Sequence, residues 1–148
     1  MDELMAALAQ AFDDYRQDLA NYEKKRKPTD GLLGFGHSLQ DDPCHERLDQ
    51  RVEQLIRQMG SLSPTAQEAS QAIRILLHHE DAAWPLAAQW MLRALERHAL
   101  LLIPYLSPNA AEQLHKEYAS RYKPWDRLPV QKQVLKTLKM KAAEKQAP

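Results

Sequence analysis

Three dipeptides, Asp42-Pro43, Ser63-Pro64 and Ser107-Pro108, each open a stretch in which apolar residues recur every three or four positions. A short polar side chain caps the first free backbone N–H groups of a helix. Proline at the next position loses no donor, because that N–H would have no partner anyway. Three such starts, each followed by a period of about 3.6, are hard to reconcile with a sheet and predict an all-α chain.

The stripes themselves are regular. Leu4, Leu8, Phe12, Tyr15, Leu19 and Tyr22 predict a first helix whose acids (Asp2, Glu3, Asp13, Asp14, Asp18) precede its bases (Lys24, Lys25, Arg26, Lys27), with Pro28 as the stop. Leu48, Val52, Leu55 and Met59 form the seam of a second helix, ended by Gly60. Ser63-Pro64 opens a third, through Ile73, Leu76 and Leu77 to His78 or His79. Ser107-Pro108 opens a fifth with Ala111, Leu114, Tyr118 and Tyr122 on one side, and a sixth from about Pro129 uses Val130, Val134, Leu135 and Leu138. The fourth, from Trp84 or Pro85 to Ile103, gathers Gln89, Arg93, Glu96, Arg97 and Leu100 on one narrow polar arc and is apolar or small elsewhere except at His98. A helix greasy on most sides belongs in the middle of the others. The expected architecture is therefore a compact single-domain bundle of about six helices with a central hydrophobic fourth helix. It spans residues 1–148, with a long glycine-containing loop over 28–42 and a frayed basic tail over 141–148.

Composition agrees: 44% apolar and 27% charged residues in 148 suit one globular domain. The longest apolar run, Ala99 to Ile103, is far short of the ~20 residues that cross a bilayer. Residues 2–14 hold four acids and no base, unlike a cationic secretory leader, so a cytoplasmic chain with no membrane partner is expected. A single cysteine excludes an internal disulfide framework.

Several groups of residues could carry chemistry. The 28–42 loop holds Gly31, Gly34 and Gly36 together with Leu32, Leu33, Phe35 and Leu39, and His37 follows. It reads either as a plug folded onto the core or as a loop in which Leu32, Leu33, Phe35 and His37 bind a partner or ligand. Its glycine spacing matches neither nucleotide-binding fingerprint. His37, Asp41, Asp42, Cys44, His45 and Glu46 are metal-ligand and acid–base residue types within ten positions. Cys44 and His45 are adjacent, however, and neighbours on a helix diverge by ~100°, which makes joint ligation of one ion awkward. A composite His/Asp/Cys site, metal-binding or catalytic, with Cys44, His45 and His78 needs the 78–81 junction (His78, His79, Glu80, Asp81) beside the 37–46 loop. Cys44 near a helix start could act as a nucleophile only with His37, His78 or His98 as its base. The bland alternative has Asp42 capping, Glu46 complementing the dipole and Cys44 packing as a small hydrophobe. His98 reads as a core histidine bonded to a tyrosine, acid or carbonyl, and its pairing with Met91 does not amount to a haem site.

Charge divides unevenly along the chain. Residues 116–148 contain nine Lys/Arg and three Asp/Glu, a net of +6 that leaves −6 on the rest. Arg121, Lys123, Arg127, Lys132 and Lys136, interleaved with Tyr118, Tyr122 and Trp125, could follow a phosphate backbone. Helix six docking on the acidic first helix, within one chain or between two, is the preferred account of the same pattern. Trp125 is expected to cover the end of the core with Arg121 or Arg127 stacked on it. Catalysis needs converging groups, and no spacing here forces convergence. The sequence therefore favours a small binding or protein-interaction protein with no cofactor and no catalytic activity, its partner another protein or a second copy. A metal- or small-ligand-binding protein or enzyme is the alternative, and nucleic-acid binding ranks third.

Overall fold

A computed structural model describes residues 1–25, 43–78, 96–127 and 129–144. Helix α1 spans Asp2–Lys25, α2 Pro43–Ser61 and α3 Ala66–His78. Residues 96–102 are helical (α4) and run into a 3-10 turn, Ile103–Tyr105. Helix α5 spans Pro108–Ala119, a second 3-10 turn spans Pro124–Asp126, and α6 spans Pro129–Ala143. Among the described residues there are six helices and no strand, and the chain is an all-α bundle.

The apolar stripes become one core. Leu8, Phe12 and Tyr15 of α1, Leu48, Val52, Leu55 and Met59 of α2, Ile73, Leu76 and Leu77 of α3, Ala111, Leu114 and Tyr118 of α5, and Val134, Leu135 and Leu138 of α6 are all buried in a single cluster. Helix α1 packs against α2 and α3, and α6 packs against α5 and the 103–105 turn. The residues of α4 and its turn lie among the rest: Asp49 of α2 bonds His98, Tyr118 of α5 bonds Glu96, and the turn touches α3 and α6.

Punctuation is met in one place and moved in two. The Ser107 hydroxyl accepts from the Ala110 N–H at 3.1 Å and caps α5. Helix α3 starts later than Ser63-Pro64 predicts, because Thr65 and Glu68 form a reciprocal capping box: the Thr65 hydroxyl accepts from the Glu68 N–H at 3.1 Å, and the Glu68 carboxylate accepts from the Thr65 N–H at 2.9 Å. Ser63 instead takes the left-handed conformation (φ 50°) in the turn between α2 and α3. Gly60 does not end α2, which continues to Ser61; a Cβ at Gly60 would stand 3.6 Å from the Tyr105 hydroxyl. Of the expected frayed tail over 141–148, residues 145–148 lie outside the described residues. Helix α6 continues through Ala143, and Lys141 pairs with Glu144 at 3.0 Å. Asp42, Pro28 and the 28–42 loop lie outside the described residues.

The fourth helix is rotated from its expected orientation. Glu96, placed on the polar arc, is only 1% exposed, whereas Leu101, placed on the apolar side, is 55% exposed. Its wet face is Arg97 and Leu101, with Leu100 half-buried. A buried tyrosine supplies the reason: the Tyr118 hydroxyl donates to Glu96 Oε1 at 2.5 Å, so the carboxylate is held inside the core by its donor. Among the described residues no helix is long and apolar enough to cross a membrane.

Candidate functional site

The α2–α4 seam carries the most specific polar geometry. Asp49 stands one turn into α2 after the buried Cys44 and Leu48. Its Oδ1 lies 2.9 Å from Nε2 of the buried His98, and both of its carboxylate oxygens accept from Arg97 Nη2 at 3.1 and 3.2 Å. A carboxylate oxygen accepts, so Nε2 is the nitrogen that donates. Among the described residues Nδ1 has no hydrogen-bond partner. One carboxylate thus positions a buried imidazole and an exposed guanidinium. The Asp49–His98 bond joins α4 to α2 and fixes their relative orientation.

Further along the same seam the surface turns apolar. Leu101 follows Arg97 by one helical turn, and Tyr105 follows Leu101 by another four residues. The Tyr105 hydroxyl lies beside Gly60 at the end of α2, two residues before Leu62. Leu62 is 59% exposed, Leu101 55% and Tyr105 37%. Charged pairs stand at the margins: Arg97 with Asp49, and Arg57 with Glu53 at 2.8 Å. Isolated surface leucines are ordinary; three large apolar side chains along one seam with ion pairs beside them form the composition of a docking patch.

Between α1 and α2 lies an open cleft of about 380 Å³. Ala11, Tyr15, Cys44 and Leu48 line it together with Asp14, Asp18, Arg47 and Arg51. Arg47 Nε donates to Asp18 Oδ2 at 3.1 Å, and its Nη2 approaches Cys44 Sγ at 3.5 Å. Cys44 is buried as the small hydrophobe of the bland reading, and Glu46 is exposed in the first turn of α2.

For the other sequence candidates the structure gives mixed answers. Leu32, Leu33, Phe35 and His37 lie outside the described residues, as do Asp41, Asp42, His79, Glu80 and Asp81, and so do the side chains of His45 and His78. Among the described residues no group of three His, Cys, Asp or Glu side chains could hold a metal ion. Of the five basic residues, two are anchored internally. Arg121 Nη1 donates to the Leu77 carbonyl at 2.6 Å and its guanidinium sits 5.9 Å from the Tyr118 ring, tying the end of α5 to the end of α3. Arg127 donates to the Ala119 and Tyr122 carbonyls at 3.1 and 3.3 Å and so closes the C-terminus of α5. Lys123, Lys132 and Lys136 are exposed. Trp125 does not cover the core: it is 76% exposed, and the cation near its ring is Lys123, at 5.5 Å. Its 3-10 turn carries no buried residue, so the ring has no apolar surface of its own turn to close over.

Helix α6 does not dock mainly on the acidic α1, contrary to the intramolecular form of the charge argument, because α5 occupies its apolar face. Two of the α1 acids are matched by other bases: Asp13 pairs with Arg16 within α1 at 2.9 Å and Asp18 with Arg47 of α2 at 3.1 Å.

Burial first, then the positive charges of Lys139 and Arg127, hold His115 of α5 below the ordinary histidine pKa. The sign follows from linkage. The unfolded chain takes up a proton near pH 6.5 while the folded chain resists it, so this contribution is complete above about pH 6.5 and is lost as pH falls towards the lower folded value. His115→Gln is expected to flatten the loss of stability as pH falls below about 6.5, read from urea midpoints; an unchanged acid limb would show that His115 contributes nothing to it.

His98 is the core histidine bonded to an acid that the sequence suggests, but residue order named neither that acid, Asp49, nor the Glu96–Tyr118 pair. The partners are 49 and 22 residues apart, and no local pattern marks either one. No protein-family model, no curated protein and no solved structure matches this chain.

Proposed function

We propose that this chain is a protein-interaction module that docks another protein, or a second copy of itself, on the α2–α4 seam. The observation that carries the reading is the exposed line of Leu62, Leu101 and Tyr105 with the Arg97–Asp49 and Arg57–Glu53 pairs beside it. Such a patch offers apolar area for burial at its centre, and its ion pairs fix orientation at the rim. A cytoplasmic location and the absence of catalytic activity belong to the same proposal.

Site-specific photo-crosslinking in the host cell tests it. A benzophenone side chain at position 62 is expected to give discrete protein adducts, and one at the exposed Lys116 of α5 is not. Leu101→Asp should cost the complex about thirtyfold in affinity, the scale of a central hot-spot residue. Thermal stability should stay almost unchanged, since Leu101 already faces water. Adducts of equal yield from both positions, or an adduct at 62 that survives Leu101→Asp, would remove the seam as the docking surface.

A further inference from the structure

We infer that the opposite charge half of the molecule, the exposed face of α6 together with Trp125, is a binding surface for single-stranded nucleic acid. The inference is independent of the docking seam. Lys132, Lys136 and Lys139 recur at steps of four and three, which keeps them on one side of α6, and all three are exposed. The buried residues of the same helix, Gln131, Val134, Leu135 and Leu138, occupy the other side. Among the described residues none of these three lysines has an ion-pair partner.

Two of the three acids in residues 116–148 are paired with bases, and the third, Asp126, is exposed in the turn beside Trp125. Glu117 is held by a two-pronged contact from Arg74 of α3 at 3.0 and 3.1 Å, and its carboxyl is kept below the ordinary carboxylate range by those hydrogen bonds. Glu144 is held by Lys141. The positive charge is also felt outside α6, since Lys139 and Arg127 both act on His115 of α5.

Charge alone would suit any polyanion, and Trp125 narrows the class. It sits in the turn three residues before α6 begins, 76% exposed, with the Lys123 ammonium 5.5 Å from its ring. An exposed indole with a cation beside it is a platform on which an unpaired base stacks while lysines track the backbone. An acidic peptide offers a π-face only where it carries an aromatic side chain, whereas every nucleotide carries one. A base inside a duplex is already stacked on both sides, so the single strand is the form that fits. Docking of α6 on α1 within the chain, which would have neutralised this face, does not occur as a main contact.

The experiment is fluorescence anisotropy of a labelled fifteen-nucleotide oligo-dT at 20 mM salt, repeated at rising salt, with the full chain. Binding is expected, and log K should fall against log salt with a slope of about −2 to −3, the release expected for three or four lysine contacts to a single strand. Lys132→Gln/Lys136→Gln/Lys139→Gln should reduce the slope to about −1 and affinity more than tenfold. Trp125→Ala should weaken binding about tenfold or more at constant slope, and Trp125→Phe should restore most of it. The His115 titration, followed by NMR, should move upward when the oligonucleotide is bound, because phosphates offset Lys139 and Arg127. All substituted side chains are exposed, and circular dichroism checks that each variant is folded. No binding at 20 mM salt would overturn the inference. Wild-type affinity in Trp125→Ala, or polyglutamate competing as well as oligo-dT, would overturn it in favour of an acidic protein partner. Salt-sensitive self-association by sedimentation, without oligonucleotide binding, would overturn it in favour of a second copy's acidic α1.

Discussion

Tyr118→Ala is expected to lower unfolding free energy by about 3–5 kcal/mol, the usual cost of deleting a buried aromatic ring. Against a typical domain stability of about 5–15 kcal/mol, that is a large share of the total. Tyr118 is buried between α5 and the rest of the core, stacks edge-on with Tyr122 at 6.1 Å and carries Arg121 beside its ring. Its hydroxyl is a separate contribution, because it donates to the buried Glu96 Oε1 at 2.5 Å. Tyr118→Phe keeps the ring and strips that donor from a buried carboxylate, at about 1–3 kcal/mol. Urea midpoints at unchanged slope measure both, and the alanine variant should fall further because the cavity adds to the lost bond. Equal stability of Tyr118→Phe and the parent would show that the hydroxyl contributes nothing net. A double-mutant cycle of Tyr118→Phe with Glu96→Met, each of which removes the bond, then isolates the pair.

The second large effect is at Asp49. Asp49→Ala is expected to cost about 1–3 kcal/mol, because it leaves the buried His98 Nε2 without its acceptor. The exposed Arg97 contact is the minor part: at 62% side-chain exposure, Arg97→Ala should change stability by less than about 1 kcal/mol. Asp49→Asn should fall between them, since its amide oxygen can still accept from Nε2. The decisive comparison is the ratio of the first two. If Arg97→Ala proved as damaging as Asp49→Ala, the surface ion pair and not the buried imidazole would be holding α4 on α2.

Both predictions concern pairs that join distant parts of the chain, and that is where local reading stopped. Periodicity depends only on neighbours three and four residues away, so it placed Leu8, Phe12 and Tyr15, Leu48 to Met59, and Val134 to Leu138 on buried faces correctly. Capping is equally local, and Ser107 shows it. At Ser63-Pro64 two local signals competed. The capping box at Thr65 and Glu68 prevailed because it satisfies two N–H groups reciprocally where a lone cap satisfies one. Trp125 went the other way from expectation for lack of apolar surface within its own turn.

Secondary structure, the all-α class and the residues of the core stripes were determined by the order of residues along the chain, because helix formation and amphipathic burial are settled within two turns. The partner of each polar side chain was decided by tertiary structure. Glu96 lies inside because Tyr118 arrives from α5 to donate to it, and His98 is satisfied because Asp49 arrives from α2. Arg121 and Arg127 fold back onto the chain because the carbonyls at the ends of α3 and α5 lack donors that only a folded chain can bring to them. What stays outside after those pairings, the Leu62–Leu101–Tyr105 seam and the lysine face with Trp125, is the remainder left by packing, and no reading of residue order alone could subtract it.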